Sequence, residues 1–257
     1  MNELERYYEK FDEEKRLTRR HGQVEFFVTW HFLQKYLTKY QKPKIVDIGA
    51  GTGAYSVPLA KSGFDITAVE FVKSNLQKLR FKKENIKTFQ GDAKNLDMFK
   101  DDIFDVTILL GPMYHAKTTK DKIQILNECK RITKSGGIIF VAYYMNEYGI
   151  IRHGFVDGNI KQELLNGRID ENFHIVNKDD LYSFDRIEDI DFYNNSVGLE
   201  RETIFAPDGA SDYMRDVLNK MDDETFDLFK KYQLSVCENK ELLGASSHVV
   251  DVLKVKK

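Results

Sequence analysis

Cysteine is scarce in this chain of 257 residues. Only Cys129 and Cys237 occur, far apart and in no Cys-x-x-Cys spacing. Such usage excludes a disulfide scaffold and reads as two reduced thiols in a cytoplasmic setting. An excess of one charge is also missing: 39 Lys+Arg stand against 41 Asp+Glu, a formal net charge of −2. A domain that coats nucleic acid usually has a pI above about 9, so this balance disfavours one while leaving room for a local basic patch. No apolar run approaches the ~18–20 residues of a membrane span; the longest, near Ile108 and Ile138, have strand length. The first residues, Met1 to Arg6, are charged at once and lack the apolar stretch of a secretory leader. Repeats, low-complexity tracts and flexible linkers are absent as well. The expectation is a cytoplasmic protein without a membrane segment. Its length suggests one or two domains and suffices for a core without metal or disulfide support.

What is present divides the chain into four stretches of one domain spanning 1–257. Residues 1–42 look helical, with Leu4, Tyr7, Tyr8 and Phe11 and then Phe26, Trp30, Leu33, Leu37 and Tyr40 at helical spacing. His21-Gly22 is expected to separate the two helices. Residues 43–145 alternate short β-rich runs with helical stretches. The runs are Ile45 to Ile48, Phe64 to Val69, Ile86 to Phe89, Phe104 to Leu110 and Ile138 to Tyr144. A helix carrying Ile125, Leu126, Cys129 and Ile132 is expected to stop at Ser135-Gly136-Gly137. Residues 146–197 loosen into a polar insertion with one short helix around Ile160 to Leu165. Residues 198–257 hold two closing strands with helices between them. This pattern predicts an α/β fold: a Rossmann-like, seven-stranded, mostly parallel sheet with helices on both faces.

Val46-Asp47-Ile48-Gly49-Ala50-Gly51-Thr52-Gly53 follows the first strand and precedes a helix. Glycines there let the chain turn sharply and let a ligand lie against backbone N–H groups. By itself the loop leaves two ligands open, because Gly49, Gly51 and Ala54 also satisfy the G-x-G-x-x-A dinucleotide fingerprint. Glu70 ends the second strand, where an acid would bind ribose hydroxyls in either case.

The motif closely resembles the first motif of class I S-adenosylmethionine-dependent methyltransferases, and further elements follow in that family's order. Val69-Glu70-Phe71 resembles its second motif, Gly91-Asp92-Ala93 its adenine-contacting turn, and Asp105 to Leu110 its fourth strand. Arg131 to Gly137 is similar to the turn into its fifth strand. The Tyr-x-x-x-Lys pair of a short-chain dehydrogenase occurs only as Tyr40 and Lys44, ahead of the loop. The resemblance implies S-adenosylmethionine as cofactor and S-adenosylhomocysteine as product. It implies that Asp47, Gly49, Gly51 and Gly53 hold the amino-acid portion, and that Glu70 binds the ribose. Phe71, Asp92, Ala93 and Leu110 would then surround the adenine and the sulfonium end.

The six histidines show no paired metal-ligand spacing and no evident cluster with acids, so no metal is expected. No Pro-Cys pair occurs, which disfavours a cysteine nucleophile. The loop Gly111-Pro112-Met113-Tyr114-His115 lacks the Asn, Asp or Ser that base-amine methyltransferases place at its start. Tyr114 is expected to position the acceptor, with His115 as its base or its hydrogen-bond partner. Tyr7, Tyr8 and Arg16 of the extension and Arg152 and His153 of the insertion are further candidates for contact with the substrate. The function expected is metal-independent methyl transfer to a small molecule. An RNA or protein acceptor, or a cofactor-binding module without turnover, remains the alternative. The sequence leaves the acceptor and the oligomeric state undetermined.

Overall fold

The computed structural model describes residues 6–7, 18–176 and 181–257. The apolar runs become strands β1 (Lys44–Ile48), β2 (Asp65–Glu70), β3 (Ile86–Gln90), β4 (Phe104–Leu109), β5 (Thr133–Met145), β6 (Phe184–Asp185), β7 (Leu199–Phe205) and β8 (His248–Val255). Seven of them form one sheet in the order β3-β2-β1-β4-β5-β8-β7, and β6 pairs with the end of β5. The sheet therefore has eight strands rather than seven, the addition being a two-residue pairing of Tyr144 with Phe184 and Met145 with Asp185. Only β8 runs against its neighbours, pairing antiparallel with both β5 and β7. The order reverses between β1 and β4, the switch point where open α/β sheets bind ligands.

Helices cover both faces. They are α1 (Arg20–Leu37), α2 (Ser56–Lys61), α3 (Lys73–Phe81), α4 (Thr119–Ile132), α5 (Asn146–Gly149), α6 (Ile160–Leu165), α7 (Ile187–Val197), α8 (Arg215–Leu218), α9 (Asp223–Val236) and α10 (Lys240–Leu243). Alternate residues of β5 feed the two cores. Ile138, Phe140 and Ala142 pack with Phe32, Leu33 and Tyr36 of α1, while Ile139, Val141 and Tyr143 pack with Leu126 of α4 and Ile190 of α7. Two-sided burial explains why this strand reads as nearly continuous apolar sequence.

Three local expectations are corrected. His21-Gly22 is not a break: both lie in the first turn of α1, with Gly22 buried, where Val24 packs on Leu218 of α8 and Phe226 of α9. Ser135-Gly136-Gly137 does not cap α4, which ends at Ile132 with β5 following at once. These glycines instead form an irregular strand start, opposite a register shift between Phe104 and Val106. A Cβ on Gly137 would meet Thr133 Cγ2 at 2.7 Å and the Asp105 carbonyl at 2.9 Å. The insertion is more ordered than its polarity suggests. Asn146–Gly149 and a π-helical turn over Ile150–Val156 follow β5, and α7 buries Ile190, Tyr193 and Val197. Asp and Asn at four of its eleven positions hide α7 from propensity, which tertiary packing overrides. A buried ion pair fastens this region, with Lys122 Nζ of α4 2.6 Å from Asp185 Oδ1 of β6.

Candidate active site

The parallel strands β1, β2 and β4 end at one edge of the sheet, so their loops converge there. The loop after β1 turns through three glycines with positive φ: Gly49 at 73°, Gly51 at 56° and Gly53 at 92°. Gly49 is also a point of close approach, because a Cβ on it would lie 2.6 Å from Pro112 Cδ. Asp47 is buried beneath the loop, where its Oδ2 accepts from Ser56 Oγ at 2.6 Å. Burial pushes its carboxyl up to about 6.

Glu70 is buried at the end of β2 and joins two backbones. Its Oε2 accepts from the Gly51 N–H and its Oε1 from the Val72 N–H, each at 2.7 Å. A carboxylate offers two acceptor oxygens, the geometry that binding a ribose diol requires. Beyond β3, Asp92 Oδ1 accepts from the Lys94 N–H at 2.9 Å and shapes a tight turn.

These residues line one continuous cavity of about 480 Å³. Asp47, Gly49, Gly51, Glu70, Phe71, Asp92 and Ala93 form one end, and Leu110, Gly111, Pro112, Tyr114 and His115 the other. Gly53 lies outside the lining, at the start of the following turn, with Leu79 of α3 against its Cα. The cavity fits S-adenosylmethionine: glycine backbone for the amino-acid portion, a two-oxygen acid for the ribose, and an aromatic ring and an aspartate for the adenine. Thr52, Tyr55, Asn75 and Leu181 also line it, although their types carried no signal in the sequence.

At the acceptor end, Tyr114 Oη donates to the Leu110 carbonyl at 3.1 Å. His115 Nδ1 lies 3.1 Å from the carbonyl oxygen of Leu181. A carbonyl can only accept, so Nδ1 carries the proton and Nε2 the lone pair. Burial lowers the imidazole to about 4, so it is neutral at pH 7 and a weak base.

The substrate candidates scatter. Tyr7 accepts from Tyr182 Oη at 3.0 Å, and Tyr182 in turn packs near Tyr114, His115 and Tyr144. Tyr8 and Arg16 lie outside the described residues. Arg152 and His153 both pair with Asp157 and do not line the cavity. The histidines are not all remote from acids, contrary to expectation. Glu25 of α1, Asp208 and His248 come together with one ligating atom of each within 4.8 Å of the others. They are 183 and 40 residues apart in the chain, so no spacing rule could have shown it.

A family profile described as "Methyltransferase domain" matches residues 46–141, the stretch that builds the cavity. That match covers less than half of the chain and makes these residues resemble a methyltransferase domain. Among curated methyltransferases, the chain is 29% identical over 149 residues to the ubiquinone biosynthesis O-methyltransferase of Rickettsia conorii. That match covers 56% of this chain and 48% of the relative. It is 32% identical over 101 residues to the demethylmenaquinone methyltransferase of Paenarthrobacter aurescens, covering 39% of this chain and 38% of the relative. The chain thus spans about half or less of the length of these curated relatives. Among solved structures, a SAM-dependent methyltransferase of Methanosarcina mazei shares the fold at a TM-score of 0.60. Its identity is 14%, with 88% of this chain and 98% of that one covered.

Proposed function

We propose that the chain transfers a methyl group from S-adenosylmethionine to a small aromatic acceptor carrying an O–H or N–H group, without a metal. The observation that carries this reading is the continuity of the cavity from Glu70 and Asp92 to Tyr114 and His115. The names of the two curated relatives, both methyltransferases of quinone biosynthesis, support an aromatic acceptor. The cofactor supplies an electrophilic methyl group on a sulfonium leaving group, so alignment and exclusion of water are the protein's main contributions.

Asp47, the glycine loop and Glu70 fix the cofactor, and Phe71, Asp92 and Ala93 select its adenine. Leu110 and Tyr114 form the wall against which the acceptor aligns. His115, neutral and held by Leu181, orients the acceptor through Nε2 as a hydrogen-bond acceptor. We assign Tyr7, Tyr8 and Arg16 to the cover of the acceptor. Arg152 and His153 reach it only if Asp157 releases them. The chain is read as one catalytic domain acting in the cytoplasm, with both cysteines buried and free. Among the described residues no helix is long and apolar enough to cross a membrane.

The test is a screen of phenols, catechols, hydroquinones and aromatic amines for S-adenosylhomocysteine release by the pure protein, repeated after dialysis against a chelator. Turnover of at least one small acceptor, unchanged by the chelator, is expected. Turnover only with RNA or protein added, and falling steeply with salt in the RNA case, would replace this reading.

A further inference from the structure

Because β8 runs antiparallel, its first residue lies at the edge where the parallel strands end. That residue is His248, paired with Tyr144 of β5. Its ring stacks on Tyr144 with centroids 4.2 Å apart and stands 5.9 Å from the ring of Tyr114, which walls the cofactor cavity. Asp208, in the segment after β7, grips this residue twice. Its Oδ2 accepts from the His248 backbone N–H at 3.0 Å and from ring Nδ1 at 2.8 Å. Both side chains are more than nine-tenths buried. An ionised carboxylate only accepts, so Nδ1 holds the proton and Nε2 the lone pair. A carboxylate in this position also stabilises the imidazolium that forms when Nε2 takes a proton, as in Asp-His pairs of hydrolases. His115 Nδ1, by contrast, is held by the neutral carbonyl of Leu181.

We propose that His248, positioned by Asp208, is the base of an acceptor subsite lying over Tyr114 and Tyr144, one strand beyond the cofactor. This rests on the function proposed above and names the proton acceptor and the acceptor's chemistry. The acceptor is an aromatic with an ionisable O–H or N–H, its ring against the two tyrosines. As the acceptor's oxygen or nitrogen lone pair forms the new bond to the methyl carbon, the C–S pair stays on sulfur. The acceptor's proton passes to His248 Nε2 and leaves from the imidazolium to water.

The test has two readouts. The first is long-range 15N NMR of histidine in the full chain, with and without S-adenosylhomocysteine. His248 is expected as the Nδ1–H tautomer, and D208N is expected to lose that preference. The Nε2–H tautomer in the wild type overturns the proposal, and this result needs no acceptor. The second uses an acceptor from the screen above. H248Q is expected to keep S-adenosylhomocysteine affinity and lose turnover about 10²–10⁴-fold. D208N is expected to lower turnover and move its acid limb to lower pH, with Glu25, His21, Asp212, Arg215, Tyr144 and Tyr148 still surrounding the pair. Wild-type turnover in H248Q overturns the base role. So does turnover that a chelator abolishes and Zn²⁺ or Mn²⁺ alone restores, since Glu25, Asp208 and His248 would then be metal ligands. Failure of the wild type to bind S-adenosylhomocysteine or methylate any acceptor strikes the preceding reading, whereas the tautomer is measured independently of it.

Discussion

Gly51 donates its backbone N–H to Glu70 Oε2 at 2.7 Å, so the acid that ends β2 also holds the glycine loop that follows β1. The same carboxylate receives the Val72 N–H, which ties the loop to the start of α3. Glu70 therefore shapes the cavity before any ligand arrives. Replacing it with Ala should weaken S-adenosylhomocysteine binding by about 1–3 kcal/mol, through lost charge-assisted bonds to the ribose and a looser loop. Titration calorimetry measures this directly. Unchanged affinity would mean that another group binds the ribose.

Gly49 offers a purely steric test. Its φ of 73° disfavours any side chain, and an added methyl would meet the Pro112 ring at 2.6 Å. Gly49→Ala should destabilise the fold by about 1–3 kcal/mol from the backbone conformation alone. Displacement of Pro112 should also move Tyr114 and His115, so cofactor affinity and turnover should both fall. A variant with wild-type melting temperature and affinity would contradict the loop geometry.

The Lys122–Asp185 pair gives a prediction on stability rather than binding. Both side chains are 2% exposed, and Tyr193 Oη adds a bond to Asp185 Oδ1 at 2.9 Å. Lys122→Met leaves a buried carboxylate without its cation and should cost about 3–5 kcal/mol. Urea unfolding of the single variant and of K122M/D185L should separate the two effects. The double variant should recover much of the loss, because an apolar pair of similar volume avoids the stranded charge.

Asp47 predicts a pH dependence whose sign is set by burial. In the folded chain its carboxyl is pushed up to about 6, against roughly 3.9 when unfolded. Between these values the native state holds a proton that the unfolded chain has released. The contribution of Asp47 to stability therefore falls as pH rises from about 4 to 6 and levels off above, by roughly 3 kcal/mol in all. Asp47→Asn keeps an acceptor for Ser56 and cannot ionise. Its stability relative to wild type should rise across this window and match it near pH 4, as read from urea midpoints. A difference that does not vary with pH would place the Asp47 titration elsewhere.

The cofactor half of the site was legible in the sequence because its parts are local. Asp47 to Gly53, Glu70 with Phe71, and Asp92 with Ala93 are each a short run at the end of a strand. Alternating strands and helices make those strands parallel, so all their loops must emerge at one edge. The same local logic misjudged Gly22 and Gly136-Gly137. A glycine reads as a stop in isolation, whereas here Gly22 is buried within α1, Gly136 takes a positive φ and Gly137 packs closely at the start of β5.

The acceptor side was legible only in the run from Leu110 to His115, because its other residues meet only through the sheet. His248 reaches the active edge since β8 is antiparallel, and Asp208 reaches His248 across a 40-residue separation filled by α8, α9 and α10. The polar insertion concealed Leu181 and Tyr182, which come to His115 because the adjoining Ser183 bonds to the Tyr114 and Ala116 carbonyls. Sequence alone determined that glycines and acids would meet at the strand ends, since parallel strands bring their local loops to one edge. Only the tertiary structure decided that His248 lies against Asp208 and His115 against the Leu181 carbonyl, because those partners come from distant segments.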